Sequence, residues 1–164
     1  MDGRVRAWLL RALVVVAVAG CSASAAGSPA LSQLALSSVT DALRSSGISV
    51  TQVTDNLDPR DGAWRCLPGS FRLARVLQQP PAPLARPGDR PSVDVLIFST
   101  DAERAAAQAA IGADGQVRTA GCGVMVDWVA TPHVVGARNV LIFVATDDPG
   151  TLAAVKAAAA RLGG

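Results

Sequence analysis

Val93-Asp94-Val95-Leu96-Ile97-Phe98 is nearly continuous in apolar residues, and a run of that kind reads as a central strand. A chain with such a strand must build a sheet around it. Before it, Gln78 to Pro91 holds Pro80, Pro81, Pro83, Pro87 and Pro91 plus Gly88. Proline cannot donate to a ladder, so this stretch is an exposed, semi-extended excursion between strands. A solvated insertion explains it more simply than a proline-rich groove ligand does. After the strand, Thr100-Asp101-Ala102-Glu103 is a capping box that opens a helix running to about Ile111. Gly112 stops that helix, and Gly112-Ala113-Asp114-Gly115 is a turn signal.

The remaining elements follow from periodicity. Leu36, Val39 and Leu43 mark one face of a helix that Gly47 ends. Ile48 to Val53 reads as a short strand, Thr54 to Ser70 as a loop anchored inward by Trp64, Cys66 and Leu67, and Phe71 to Leu77 as a second strand. Val124 to Ala130 is expected to be a strand, with Thr131-Pro132-His133, Gly136 and Arg138-Asn139 connecting it to the strand Val140 to Ala145. Asp148 caps a last helix with Pro149 at its first position, and Leu152, Val155, Ala159 and Leu162 lie along one face. The order α-β-β-β-α-β-β-α, with short connections within the strand groups, predicts an α+β fold. The expected architecture is a two-layer sandwich: a single, mostly antiparallel sheet of four or five strands with helices packed on one face.

The start of the chain is of another kind. Arg4, Arg6 and Arg11 precede an uncharged run, Ala12 to Gly20. As a helix that run spans roughly 14 Å, about half of a ~30 Å hydrocarbon core, which is short for a membrane span and right for the apolar region of a secretory signal. Val18-Ala19-Gly20-Cys21 closes the run and resembles the lipobox of bacterial lipoprotein signals, with a branched apolar residue, two small ones and the cysteine. The resemblance implies cleavage between Gly20 and Cys21, thioether lipidation of Cys21 and acylation of the new amino terminus. It places the protein in the cell envelope, lipid-anchored to the extracytoplasmic face of a bacterial membrane. Cleavage after Ala23-Ser24-Ala25 would instead release a soluble protein. Residues 1–20 are thus read as signal, 21–35 as lipidated cysteine and flexible tether, and 36–164 as one domain.

Removal of the signal changes the charge balance. The chain has 15 Lys+Arg and 13 Asp+Glu, and the signal takes three arginines and Asp2 with it, leaving twelve of each sign. A neutral domain lacks the electrostatic footprint of a nucleic-acid partner. Lipidation also changes the cysteine count, since Cys66 and Cys122 remain as a pair in an oxidising compartment. A disulfide between them is favoured over two buried thiols. No second Cys or His stands at ligand spacing from either, so no metal is expected there. No cofactor is expected elsewhere.

Ala113-Asp114-Gly115, Val126-Asp127-Trp128-Val129-Ala130-Thr131-Pro132-His133, Gly136 and Asn139 to Val144 followed by Asp147-Asp148 also resemble a family of small bacterial extracytoplasmic proteins. Its members join a secretion or lipoprotein signal to a domain with a D-G turn, a W-V-A-x-P-H segment and an apolar strand ending in D-D. The likeness spans roughly residues 36–162. It implies an address and a fold and carries over no catalytic residue. The proline excursion and the Cys66/Cys122 pair depart from the pattern.

Three constellations could carry chemistry. His133 is the single histidine, and with Asp127 or Asp147 it could act as a general base or as a pair of metal ligands in a small envelope hydrolase or metal-dependent enzyme. No nucleophile elbow and no HExxH spacing accompanies it, and a turn histidine bonded to backbone is the simpler expectation. Trp128 with Trp64 and Phe71 could line a pocket for a small apolar ligand, although a tryptophan in a strand is more often core. Gly121-Cys122-Gly123 lacks the strand-to-helix context of a phosphate cradle. The expected role is therefore a non-catalytic binding or envelope-assembly module, held to the membrane by lipid and facing an envelope protein.

Overall fold

The computed structural model describes residues 34–60, 62–78, 92–122 and 124–164. The signal, the lipobox with Cys21, nearly all of the tether and nearly all of the proline excursion lie outside the described residues.

The elements are α1 (Leu36–Ser45), β1 (Val50–Leu57), a 3-10 turn (Gly62–Trp64), β2 (Phe71–Gln78), β3 (Ser92–Phe98), α2 (Asp101–Ala110), β4 (Pro132–Ala137), β5 (Val140–Ala145) and α3 (Pro149–Gly163). The five strands form one sheet in the order β1-β2-β3-β5-β4, antiparallel throughout. This is an α+β fold with helices packed on a single antiparallel sheet.

β3 occupies the centre, and its register shows why its sequence is so apolar. Val93 and Val95 pair with Val144 and Ile142 on one face, while Leu96 pairs with Leu141 on the other. On the first face α1 and α3 form the helical layer. Val39 and Leu43 of α1 and Val155, Ala158 and Leu162 of α3 pack there with Ala74, Val76, Val93, Val95, Val140, Ile142 and Val144. The second face is covered by α2 through Ala107, by the 3-10 turn through Trp64, and by irregular chain through Leu67, Val117 and Trp128. Both faces of β3 and β5 are therefore dry, which is why neither strand alternates apolar with polar residues.

The helix ends follow their sequence signals. Gly47 takes φ +100°. Its N–H donates to the Arg44 carbonyl and that of Ile48 to the Leu43 carbonyl, both at 3.0 Å, closing α1 in a Schellman motif with Leu43 and Ile48 buried together. Thr100 caps α2 by accepting from the Glu103 N–H at 3.1 Å, and Asp148 caps α3 by accepting from the Thr151 N–H at 2.7 Å.

The helices lie against one sheet but do not share one face, since α2 packs on the side opposite α1 and α3, and two strand assignments also differ from expectation. β1 begins two residues later than expected and continues to Leu57 through an irregular register, with Asn56 at φ +52°. Asparagine tolerates that conformation, and the irregularity falls on an edge strand, where it blunts pairing with other chains. The larger correction concerns the fourth strand, which is Pro132–Ala137 rather than Val124–Ala130. Proline suits the first position of an edge strand, and Ala137 pairs with Val140 across a two-residue turn, Arg138-Asn139, in which Arg138 has φ +51°. The backbone of Val126 is instead satisfied by one side chain. The Gln116 amide donates to the Val126 carbonyl at 2.6 Å, and its oxygen accepts from the Val126 N–H at 2.9 Å.

Gly115, between α2 and this connection, is a close-approach position. Its φ is +73°, and a Cβ there would lie 2.6 Å from Pro132 Cβ and 2.7 Å from Trp128 Nε1. Left-handed backbone costs a non-glycine residue about 1–2 kcal/mol, and overpacking about 1–3 kcal/mol. Gly115→Ala is therefore expected to lower stability by about 3 kcal/mol in urea unfolding. A loss below about 1 kcal/mol would mean that Trp128 and Pro132 are not held against this turn.

Candidate functional site

The three residues expected to form a histidine–carboxylate site separate into two places. His133 is the second residue of β4 and half-buried, with Nε2 3.1 Å from the Thr146 carbonyl oxygen. A carbonyl only accepts, so Nε2 carries the proton and donates it to backbone. Asp147 follows β5 and accepts from both the N–H (3.1 Å) and the hydroxyl of Thr131. These bonds, with a smaller contribution from the charge of His133, hold its carboxyl below the usual aspartate range. Asp148 is lowered in the same direction by the Thr151 hydroxyl and N–H at the start of α3. His133, Asp147 and Asp148 share a shallow cleft of about 270 Å³ with Thr131, Thr146, Pro149 and Leu152. Both carboxylates stay ionised well below neutral pH, and their lone pairs are engaged by threonines. Such a cleft can accept a hydrogen bond or a cation at its rim, but its carboxyls are poor proton donors. Asp127 is elsewhere, exposed on a groove of about 440 Å³ lined by Gly62, Ala63, Arg65 and Val124–Asp127.

The aromatic set also separates. Trp64 is 2% exposed and meets Phe143 edge-on at 4.8 Å between ring centroids. Trp128 lies 4.5 Å from Phe143 and 6.1 Å from Trp64. The three rings fill space against one another as core. Phe71 packs on Phe98 at 5.2 Å, and it borders a cleft of about 330 Å³ with Pro59, Arg60, Arg65 and the rim of Trp64. Trp128 does not border that cleft, so the expected three-aromatic lining is not assembled.

What sequence reasoning missed is a buried carboxylate beneath these rings. Asp94, in the middle of β3, is 6% exposed. Across the ladder it faces Arg75 of β2, whose Nε donates to Oδ1 at 2.7 Å and whose Nη2 donates to Oδ2 at 3.1 Å. Trp64 Nε1 donates to the same Oδ2 at 2.9 Å. The bond to Asp94 raises the Arg75 guanidinium further above its already high value, against the opposing effect of desolvation. All three contacts are charge-assisted, so the loop that carries Trp64 is pinned to the sheet centre. One signal for this was present: a single acid inside Val93 to Phe98 must find donors if the strand is central. A second missed residue is Asn139, 4% exposed, whose Nδ2 donates to the Phe98 carbonyl at 2.9 Å and whose Oδ1 accepts from the Leu34 N–H at 3.2 Å.

Cys66 and Cys122 are joined, with Cα atoms 5.9 Å apart, in the middle of the range that disulfides occupy. The bond ties the Trp64 loop to the connection between α2 and β4, the two irregular segments that cover the second face of the sheet.

Among the described residues no group of three His, Cys, Asp or Glu side chains is placed to hold a metal ion, and no helix is long and apolar enough to cross a membrane. Comparison of the chain with protein-family models, curated proteins and solved structures finds no match.

Proposed function

We propose that this chain is a lipid-anchored extracytoplasmic protein whose domain is a non-catalytic binding or assembly module of the cell envelope. The observation that carries the reading is the cysteine arrangement. Cys66 and Cys122 stand at bridging distance, and the third cysteine, Cys21, ends an apolar run of signal length. Paired thiols suit an oxidising exterior, and a cysteine behind Val18-Ala19-Gly20 suits lipid attachment. Two or three acyl chains, each adding roughly 0.8 kcal/mol per buried CH₂, make such an anchor stable. The site geometry favours binding over chemistry, because His133 donates to a main-chain carbonyl and Asp147 is engaged by Thr131. The small-envelope-hydrolase alternative, which would use His133 with Asp147, has only their shared cleft in its favour.

Intact-mass measurement of the membrane-fraction protein tests the anchor. The expected mass is that of the chain from Cys21 onward plus a diacylglyceryl group and an acyl chain. Cys21→Ala is expected to lose the lipid mass and leave the membrane fraction. A wild-type mass corresponding to cleavage after Ala25, without lipid, would overturn the reading.

A further inference from the structure

Val124–Ala130 is not a strand of the sheet, yet it keeps the features of one. Val126 and Trp128 are half-buried while Met125, Asp127 and Val129 are exposed, so burial alternates with a period of two. Met125 and Val129 are each 91% exposed, the two large apolar side chains most open to solvent among the described residues. The Gln116 amide reaches both the N–H and the carbonyl of Val126. One amide can do so only where these two groups point the same way, as they do in extended backbone. The N–H and carbonyl groups of Met125 and Asp127 then point to the opposite edge, where among the described residues they meet no hydrogen-bond partner. Alongside Val124–Asp127 lies the groove of about 440 Å³, which Gly62, Ala63 and Arg65 also line.

We propose that this edge receives an extended segment of another protein by strand addition. Main-chain bonds to Met125 and Asp127 supply the register, and alternate side chains supply the selectivity. The proposal deepens the binding-module reading and rests on it. The partner segment carries apolar, basic and apolar side chains at positions i, i+2 and i+4, facing Met125, Asp127 and Val129. The basic centre follows from charge. Asp127 is exposed, lines the groove and is in no ion pair among the described residues. The same argument disfavours a second copy of this chain, because pairing of two such segments about their centres sets Asp127 opposite Asp127, a destabilising cross-strand pair.

The test uses the full-length chain in detergent against a displayed library of random decapeptides. Enriched peptides are expected to share the apolar-x-basic-x-apolar spacing. Binding of a synthetic peptide of that sequence, read by fluorescence anisotropy, is expected to weaken at least tenfold with Met125→Asp and with Asp127→Lys. Asp127→Lys is expected to prefer the same peptide with its basic residue replaced by Glu. Both positions are exposed, and unchanged thermal unfolding of the variants shows that the loss is local. Amide exchange at Met125 and Asp127 is expected to slow when peptide binds. Enrichment of no such pattern, or binding that ignores both substitutions, overturns the proposal. So does self-association of the chain that these substitutions abolish, which would make a second copy the occupant. Cleavage of the peptide, seen by mass, would instead overturn the binding-module reading.

Discussion

Trp64→Ala is expected to remove about 4 kcal/mol of folding stability, near the middle of the range for deleting a large buried aromatic side chain. The indole is 2% exposed and contacts Phe143, and its N–H donates to the buried Asp94 carboxylate at 2.9 Å. The substitution therefore opens a cavity and takes one donor from a charged group in the interior. Trp64→Phe separates the two effects. It restores most of the apolar volume and leaves Asp94 with Arg75 alone, at an expected cost of about 1–3 kcal/mol. Urea unfolding of the three proteins measures both. If Trp64→Ala cost less than about 1 kcal/mol, the turn carrying Trp64 would not be part of the core.

The second large effect is that of the disulfide. Cys66 and Cys122 are 56 residues apart, and the chain-entropy relation gives about 4 kcal/mol for closing a loop of that length. The Cys66→Ser, Cys122→Ser double variant is expected to approach that loss, and reduction of the wild-type protein is expected to match it. The loss need not be spread evenly. α1, α3 and the first face of the sheet are held by regular packing, whereas the second face is covered largely by the segments the bridge joins. Hydrogen exchange in the reduced protein is expected to rise first between Thr119 and Thr131. A uniform rise across all strands would show that the bridge acts only on the unfolded chain.

Much of the fold was legible from short-range signals. The apolar run of β3, the caps Thr100 and Asp148, Pro149 and Gly47 each report local backbone demands, and the elements they mark are present. Val124–Ala130 misled because alternation reports which side chains face inward, not whether the backbone finds a neighbouring strand. Gln116 meets that backbone need, and nothing in the local sequence says so. His133–Val134–Val135 was obscured as a strand by Pro132 and Gly136, residues that an edge strand admits at its start and where helix side chains press close. The Arg75–Asp94–Trp64 cluster was the least accessible. Its members come from β2, β3 and a loop, and they meet only once the β2–β3 register is fixed.

The sheet order has a consequence for the route by which the chain folds. β1, β2 and β3 are successive antiparallel neighbours, and β4 with β5 is a hairpin closed by two residues. Each group can form from contacts near in sequence. The seam between them, where Val93 meets Val144 and Ile97 meets Val140, spans α2 and the whole connection to β4. Its closure entropy is incurred before any of its contacts are gained, so joining the two hairpin groups at β3–β5 is expected to set the folding rate. Substitutions at Val95 or Ile142, which pair across that seam, should then slow refolding, and so should changes that weaken the β4–β5 turn, because that hairpin is already closed when the seam forms.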